Sequence, residues 1–298
     1  MSFHQGELHI QSQLGVREKV AAWACRAIRS HMPDQHREMF ATLPFMVVAG
    51  QDAERQLWAT LLTGEPGFVQ SPGPTRLCIH SQPTPEDALF GSFQRGAAIG
   101  LLGIDLASRR RNRANGRVQR NAGGALNIDV TQSYGNCPRF IQPRCWHWQA
   151  NPVKPRDTKS LVLDTDAQRW IRQADTFFIA SGLTASAGEN HPPLGFDASH
   201  RGGPAGFVEV LNPRQLRFDD YPGNNFFNTL GNILLQPRVG LLFVDFEQGS
   251  LLQITGRATI EWQADKRTQT DEVLHRVRVD IDALRILHHV LPLRWQPH

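Results

Sequence analysis

The chain has 298 residues, enough for two domains of average size, and its 40% hydrophobic and 20% charged residues exclude disorder of the whole chain. The net charge of +4 favours an anionic ligand but is too small to indicate a nucleic-acid partner. No stretch approaches the roughly 18 apolar residues that span a bilayer, and the polar start has no signal-peptide pattern, so we expect a cytoplasmic protein without membrane contact.

The first half of the chain reads as a helix followed by short strands. Apolar side chains recur every three or four residues from 17 to 32, which predicts an amphipathic helix. A second helix is predicted over residues 85–96, because Pro85, Glu86 and Asp87 suit a first helical turn. Short strands around one helix are typical of a small antiparallel barrel. The predicted strands are residues 45–50, 56–64, 75–81, 98–107 and 111–118.

The second half shows the same elements in the same order. One helix is predicted over residues 161–175 and another over residues 225–236, where Pro237 ends it. Strands with hydrophobic and β-branched residues again surround the later helix. The predicted strands are residues 177–182, 197–210, 215–220, 239–246 and 250–262.

An internal sequence repeat relates the two halves. The aligned pairs are residues 44–50 with 176–182, 64–69 with 203–208, and 99–118 with 239–258. In the last pair six of the 20 positions are identical, whereas average composition gives about one identity by chance. We therefore predict a mainly β protein with short helices, built from two tandem barrels that arose by internal duplication.

The same elements predict the domain boundaries. Residues 1–43 form a helical lead-in, and residues 44–150 form the first barrel. Residues 151–160 contain two prolines and little apolar content, which is typical of a linker. Residues 161–298 form the second barrel.

Several segments, spread over nearly the whole chain, resemble one known family. In the first half they include FHQGELHIQ and GLLGIDLASRRRNRANGR, and in the second half DASHRGGPAGFVEV and DYPGNNFFNTLGNILLQPRVGLLFVDF. The chain resembles the FMN-binding split-barrel proteins related to pyridoxamine 5'-phosphate oxidase, in particular a double-length bacterial subfamily. The resemblance implies two split β-barrels and FMN as the cofactor, with the second half as the closer match.

The resemblance also implies where the second barrel would bind FMN. In single-barrel relatives the phosphate lies between the second strand and the start of the mid-barrel helix. Arg201 is the expected phosphate cation, because relatives often carry Arg-Lys where this chain has Asn228 and Thr229. His200 is a candidate proton donor. The asparagines have a second interpretation as ordinary helix caps and turn formers. The implied residues are Ser199, His200, Arg201, Asn224, Asn225, Asn228 and Thr229.

The first half is expected to provide the facing wall of the same site. Arg111 and Arg113 alternate along a predicted strand and would share one face. The segment YGNCPRFIQPRCWHW resembles one that crosses to the neighbouring barrel in relatives, and a packed corner is the alternative. Glu86 and Asp87 would repel a phosphate, so the first barrel is not expected to have its own phosphate pocket. The candidates in the crossing segment are Asn136, Arg139, Arg144 and Trp146.

The resemblance leaves the reaction open, because relatives include oxidases, reductases, haem-degrading enzymes, deazaflavin binders and proteins without known activity. Our leading hypothesis is an FMN-dependent oxidoreductase of unknown substrate. An external donor, NAD(P)H or a reductase, would supply electrons, since the chain lacks a dinucleotide-binding fingerprint. Pyridoxamine phosphate oxidation itself is not expected, because the C-terminal Arg-x-His arrangement is absent and the chain ends in LPLRWQPH.

Two alternatives and two further expectations complete the hypothesis. The chain is alternatively a non-catalytic flavin carrier, store or sensor, or a split barrel that holds haem or a deazaflavin. No metal site is expected, because the histidines and cysteines lack ligand spacing. The barrels are expected to pair within one chain as a pseudo-dimer, or the chain to form a homodimer.

Overall fold

The computed structural model describes residues 3–150, 154–184, 194–262 and 275–297. Strands dominate these ranges and the helices are short, which confirms the predicted mainly β fold class. No helix in the described ranges is long and apolar enough to cross a membrane. The helices are α1 (Gln5–Gln13), α2 (Arg17–Ala27), α3 (Asp34–Thr42), α4 (Thr165–Gln173) and α5 (Asn228–Leu235).

The strands divide between the two halves of the chain. The first half contains β1 (Phe45–Gln51), β2 (Leu57–Thr63), β3 (Val69–Gly73), β4 (Arg76–Ile79), β5 (Ala98–Asp105), β6 (Arg110–Ala122), β7 (Ala125–Gly135) and β8 (Arg144–Trp148). The second half contains β9 (Arg156–Ser160), β10 (Thr176–Leu183), β11 (Gly195–Gly202), β12 (Val208–Asn212), β13 (Gln215–Asp220), β14 (Arg238–Asp245), β15 (Ser250–Glu261), β16 (His275–His288) and β17 (Leu293–Pro297).

Two antiparallel sheets repeat one topology. The first sheet has the order β2-β1-β5-β6-β7-β4-β3, and the second has the order β11-β10-β14-β15-β16-β13-β12. Each strand of the second sheet thus takes the place of its counterpart in the first. Strand β9, which lies within the predicted linker, pairs with β16, and β8 pairs with β17 in a separate two-stranded sheet.

The β-bulges show that the repeat extends to backbone detail. The β6–β7 ladder shifts register at Gly116, and the β15–β16 ladder shifts at Gly256. A Cβ atom at Gly116 would lie 2.1 Å from the Asp129 carbonyl oxygen, and one at Gly256 would lie 2.2 Å from that of Asp280. Both repeats need glycine here because the neighbouring backbone fills the space of a side chain.

One part of the predicted sequence alignment is wrong by one residue. The alignment pairs Gly50 with Gly182, but the ladders of β1 and β10 with their neighbours pair Gly50 with Ser181. A slip of one residue moves every side chain of a strand to the other face. Under the structural register Val48 and Ile179 both face the core of their own half, as counterparts must.

The two halves also pack against each other. Each sheet has its own hydrophobic core, and a third core lies between the halves and includes Ala49, Phe178 and Leu242. Two glycines form equivalent close contacts across this boundary. A Cβ atom at Gly100 would lie 2.4 Å from the Phe196 carbonyl oxygen, and one at Gly240 would lie 2.7 Å from that of Leu57.

The helix predicted over residues 85–96 is wrong, because the structure has a series of turns there. The buried carboxylate of Asp87 accepts hydrogen bonds from the Thr60 hydroxyl and from Gln253 Nε2. Asp87 therefore faces inward rather than capping a helix in solvent. Gly91 has a φ of 73°, a left-handed conformation that interrupts helical backbone. Helices α1 and α3 lie inside the predicted helical lead-in of residues 1–43, where the sequence pattern located one helix, at the position of α2.

Candidate functional site

A cavity lies where β6 of the first half faces β11 and the start of α5 in the second half. Its volume is about 600 Å³ when the solvent-open space at its mouth is included. We call it the cationic cavity because three arginines line it. Ten of the thirteen residues proposed from the sequence line this cavity, namely Arg111, Arg113, Asn136, Ser199, His200, Arg201, Asn224, Asn225, Asn228 and Thr229.

The remaining three predicted residues lie elsewhere. Arg139 lines a lobe that adjoins the cationic cavity and shares Arg111 and Arg201 with it. Arg144 forms an ion pair with Asp175 at 2.6 Å, so its charge is already neutralised outside the cavity. Trp146 lies in β8, pairs with β17 and packs against the core between the halves.

The segment after β7 crosses to the second half, as the resemblance implies. A Cβ atom at Gly202 would lie 2.0 Å from the Phe140 carbonyl oxygen, so the segment contacts β11 through its backbone. The Phe140 ring stacks on Tyr221 with 4.8 Å between ring centroids. This aromatic pair borders the adjoining lobe.

Arg113 is buried and its charge is balanced. Its guanidinium donates to Asp197 at 2.9 Å, to the Tyr134 hydroxyl at 2.6 Å and to the Ser199 hydroxyl. Asn232 Nδ2 donates to the second oxygen of Asp197 at 2.8 Å. The charge of Arg113 is therefore neutralised by Asp197, and the main role of Arg113 is to hold Ser199 and the surrounding wall of the cavity in place.

Arg201 is partly balanced. Its guanidinium lies 3.3 Å from a carboxylate oxygen of Asp220, and its Nε has no hydrogen-bond partner among the described residues. Burial lowers the pKa of Arg201, while Asp220 raises it. Burial raises the pKa of Asp220, against the effect of Arg201. Both charges are thus held in a poorly solvated place, where a further hydrogen bond to an anion is favourable.

Arg111 is the unbalanced cation of the cavity. Its Nε donates to the Cys137 carbonyl oxygen at 2.8 Å, and its Nη1 lies 3.0 Å from His200 Nδ1. No carboxylate oxygen in the described part of the chain lies within 4 Å of its guanidinium. Burial first, and Arg201 next, lower the pKa of Arg111 to about 10. Arg111 therefore stays charged at neutral pH and leaves the cavity with excess positive charge.

His200 acts as a neutral hydrogen-bond donor. Because Arg111 can only donate, His200 Nδ1 accepts and its proton lies on Nε2. Burial and the nearby arginines Arg111 and Arg201 lower the pKa of His200 well below its ordinary value. The buried Nε2 has no partner among the described residues. At neutral pH His200 thus offers an N–H group to a ligand and carries no second proton to transfer.

The start of α5 provides backbone donors. The N-cap residue, Phe227, has a left-handed φ of 58° and no side chain caps the helix. The first amides of α5 therefore lack intrahelical acceptors, and the helix dipole makes this end positive. Phe226 is fully buried beneath the turn and stacks on Trp23 at 4.7 Å. The packing of α2 thus holds the open end of α5 toward the cavity.

The counterpart positions in the other repeat carry no positive charge. By the strand register the pairs are Arg111 with Leu251, Arg113 with Gln253, Ser199 with Thr60, His200 with Leu61 and Arg201 with Leu62. Thr60 and Gln253 donate to the buried Asp87 carboxylate. In each repeat this position donates to an internal carboxyl group, Arg113 to Asp197 and Gln253 to Asp87. The repeats differ at Arg111 and Arg201, whose counterparts Leu251 and Leu62 are apolar.

Sequence reasoning missed four contributors to this site. Asp197 and Asp220 neutralise predicted arginines. Asp197 is the first residue of DASHRGG and alternates with Ser199 and Arg201, which was a signal that could have found it. Tyr134 and Glu7 belong to the hydrogen-bond network behind the cavity, and no local pattern marks them. In the described ranges no group of three or more His, Cys, Asp or Glu side chains is placed to hold a metal ion.

Comparison with known proteins found no matching family model and no similar curated protein. A Lactobacillus delbrueckii protein, provisionally assigned as a pyridoxamine 5'-phosphate oxidase, is 15% identical over 42% of this chain and 94% of its own, with a TM-score of 0.32. Group A Streptococcus HupZ is 11% identical over 41% of this chain and 91% of its own, with a TM-score of 0.30. K. pneumonia MrkH, in complex with c-di-GMP, is 7% identical over 85% of this chain and 87% of its own, with a TM-score of 0.27. Similarities at this level assign neither family nor function to the chain.

Proposed function

We propose that the cationic cavity binds the phosphate of FMN and that the chain is an FMN-dependent oxidoreductase with an external electron donor. The observation that carries the proposal is the set of open donors around Arg111. Asn136 Nδ2, His200 Nε2 and Arg201 Nε are all buried, and none has a hydrogen-bond partner among the described residues. Buried hydrogen-bond donors are nearly always paired with an acceptor in native proteins. A ligand that accepts hydrogen bonds would therefore pair with these three donors, and the excess positive charge of the cavity favours an anionic ligand.

The donor set fits a phosphate group. Arg111 and Arg201 offer planar guanidinium groups, which bind phosphate oxygens with two parallel hydrogen bonds. The amides at the open start of α5 add neutral donors that favour an anion.

The adjoining lobe fits the other end of FMN. A flavin ring needs an apolar wall and polar groups at its edge, and the stacked pair of Phe140 and Tyr221 offers such a wall. Arg139 in the same lobe would place positive charge near the ring. Arg111 and Arg201 line both spaces, which makes the two lobes one continuous site.

The residues of the chain would hold the cofactor rather than carry out covalent chemistry. FMN, when bound, supplies the electron-accepting and electron-donating ring. Arg111 and Arg201 would anchor the phosphate, Arg113 would keep Ser199 in place, and the neutral His200 would donate one hydrogen bond. Because His200 holds no extra proton at neutral pH, we expect protons for the redox step to come from solvent or substrate.

Cofactor identification tests the proposal. Purified protein is examined by visible absorption, any released chromophore is identified by mass, and FMN and riboflavin are titrated into the cofactor-free protein. We expect FMN to be released, and to bind about 100-fold or more tightly than riboflavin, since each charged hydrogen bond to the phosphate contributes about 1.5–3 kcal/mol. Equal affinity for the two flavins, or no FMN binding, would refute it. NAD(P)H turnover of the FMN-loaded protein then separates an oxidoreductase from a carrier or sensor.

A further inference from the structure

Helix α1 crosses α5 at two glycines, directly behind the cationic cavity. A Cβ atom at Gly6 would lie 2.2 Å from the Gly231 carbonyl oxygen, and one at Gly231 would lie 2.6 Å from the backbone nitrogen of Glu7. Only hydrogen atoms fit between the two backbones at this crossing. The close approach brings the Glu7 side chain to the first turn of α5.

Glu7 is part of a hydrogen-bonded chain that ends at the cavity. One carboxyl oxygen accepts from Asn228 Nδ2, and the other accepts from the His4 backbone nitrogen at 2.8 Å. Asn228 Oδ1 in turn accepts from the Tyr134 hydroxyl at 3.2 Å, and Tyr134 accepts from Arg113 at 2.6 Å. Asn228, which lines the cavity, is therefore fixed on one side by Glu7 and on the other by Tyr134.

The surroundings of Glu7 disfavour its charge. Its side chain is almost fully buried, at 3% exposure. Burial raises the pKa of Glu7 to about 8, with a further rise from Asp197 and opposing contributions from the His4 amide, Asn228 and Arg113. At neutral pH Glu7 is thus mainly a neutral acid, and its ionisation would place a negative charge next to the start of α5.

We propose that Glu7 is a positioning residue of the phosphate site and that the cavity accepts a phosphate while Glu7 is neutral. The proposal rests on the function proposed above. An ionised Glu7 and a phosphate would both draw on Asn228 and on the positive end of α5, and would repel each other across one side chain. Phosphate binding and deprotonation of Glu7 therefore oppose each other, and by linkage each weakens the other.

Asp197 on β11 also faces Glu7 and is ion-paired with Arg113 at 2.9 Å. The remaining ionisable groups around Glu7 do not change charge in the relevant range. On α1, burial lowers the pKa of His4, so its ring is neutral above pH 7. On β7, burial raises the pKa of Tyr134, and on β6 the pKa of Arg113 is raised by Tyr134 and Asp197 against the effect of burial. Helix α5 contributes only amide side chains, Asn228 and Asn232, at this contact. Between pH 7 and 9, Glu7 is the group here that loses a proton.

The test is the pH dependence of flavin affinity. FMN and riboflavin are titrated into cofactor-free protein between pH 6.5 and 9.5, with the wild type, Glu7→Gln and, as a matched control on exposed α2 surface, Glu18→Gln. We expect the wild-type Kd for FMN to rise about fivefold from pH 8 to 9, because the fraction of protein with a neutral Glu7 falls by that factor above a pKa of about 8. The Kd should stay flat in Glu7→Gln and follow the wild type in Glu18→Gln. Riboflavin, which lacks the phosphate, should show no slope.

Each outcome decides the matter. A slope that persists in Glu7→Gln, or that riboflavin shares, would overturn the role of Glu7 while leaving FMN binding intact. A wild type that binds no FMN at any pH would refute both proposals. Circular dichroism shows whether Glu7→Gln is folded. If it is not, the midpoint of the wild-type slope decides, because the pKa of Glu7 is about 8 whereas that of Arg111, the phosphate cation, is about 10. A slope that begins only above pH 9 would then overturn the role of Glu7.

Discussion

Arg111→Gln is the sharpest test of the cationic cavity, because the hydrogen-bond partners of Arg111 in the described part of the chain are neutral. The change removes a guanidinium that donates to the Cys137 carbonyl and to His200. A charged hydrogen bond of this kind contributes about 1.5–3 kcal/mol, so the Kd for FMN should rise about 10- to 150-fold. Folding should not suffer, since burial and the charge of Arg201 already disfavour the cation. We therefore expect weaker binding with an unchanged or higher melting temperature.

The assay and its control follow from the strand pattern. FMN affinity is measured by flavin fluorescence, and melting is followed by circular dichroism without flavin. Arg110→Gln is the matched control, because Arg110 is the neighbouring residue on the exposed face of β6. Arg110→Gln should leave both values unchanged. A Kd for Arg111→Gln within twofold of the wild type, or an equal loss in Arg110→Gln, would refute the assignment of Arg111 as the phosphate cation.

Three further predictions concern the supporting structure. Gly6→Ala should displace α1, because the new methyl group would meet the Gly231 carbonyl oxygen at 2.2 Å. The Kd for FMN should then rise about tenfold, which corresponds to the loss of roughly one charged contact. The control Gln5→Ala, at an exposed position, should leave the Kd unchanged, and an unchanged Kd in Gly6→Ala would contradict the role of the crossing. The contribution of Glu7 to the free energy of unfolding should fall as pH rises from 4.5 to 8, because the folded state keeps a proton on Glu7 that the unfolded state has lost. Urea titrations should show this fall in the difference between the wild type and Glu7→Gln, and a difference that does not change with pH would disprove the raised pKa. Calorimetry should give one FMN per chain, since Leu251 replaces Arg111 in the other repeat; two would contradict the difference between repeats.

The sequence was informative where the determinants are local. The repeat predicted the order of strands, and the segment DASHRGG placed Ser199, His200 and Arg201 on one strand because three adjacent residues need no distant partner. Arg111 and Arg113 share a face because alternate residues of a strand always do. These local rules account for most of the residues that line the cavity.

The errors arise where a partner is distant in the sequence. The segment 85–96 has the composition of a helix start, but Asp87 is drawn inward by Gln253, which lies 166 residues away. Arg144 was expected at the cofactor, and Asp175 on the far side of the linker binds it instead. The contact of Glu7 with Asn228 spans 221 residues and leaves no periodic signal. Propensity cannot show such pairs, because tertiary contacts determine them.

The contacts of Gly100 and Gly240 are equivalent, so the two halves of this single chain pack against each other as the two subunits of a symmetric dimer do. In a true homodimer a single substitution alters two equivalent sites at once, and two identical sites can influence each other's occupancy. Here each position of the interface is encoded separately, so Leu61 packs in the core between the halves while its counterpart His200 lines the cationic cavity. The repeat that lacks the arginines can therefore be selected for packing alone, and it supports the repeat that forms the cationic cavity. A single chain should therefore take up its ligand along a simple hyperbolic curve, with a Hill coefficient of about 1.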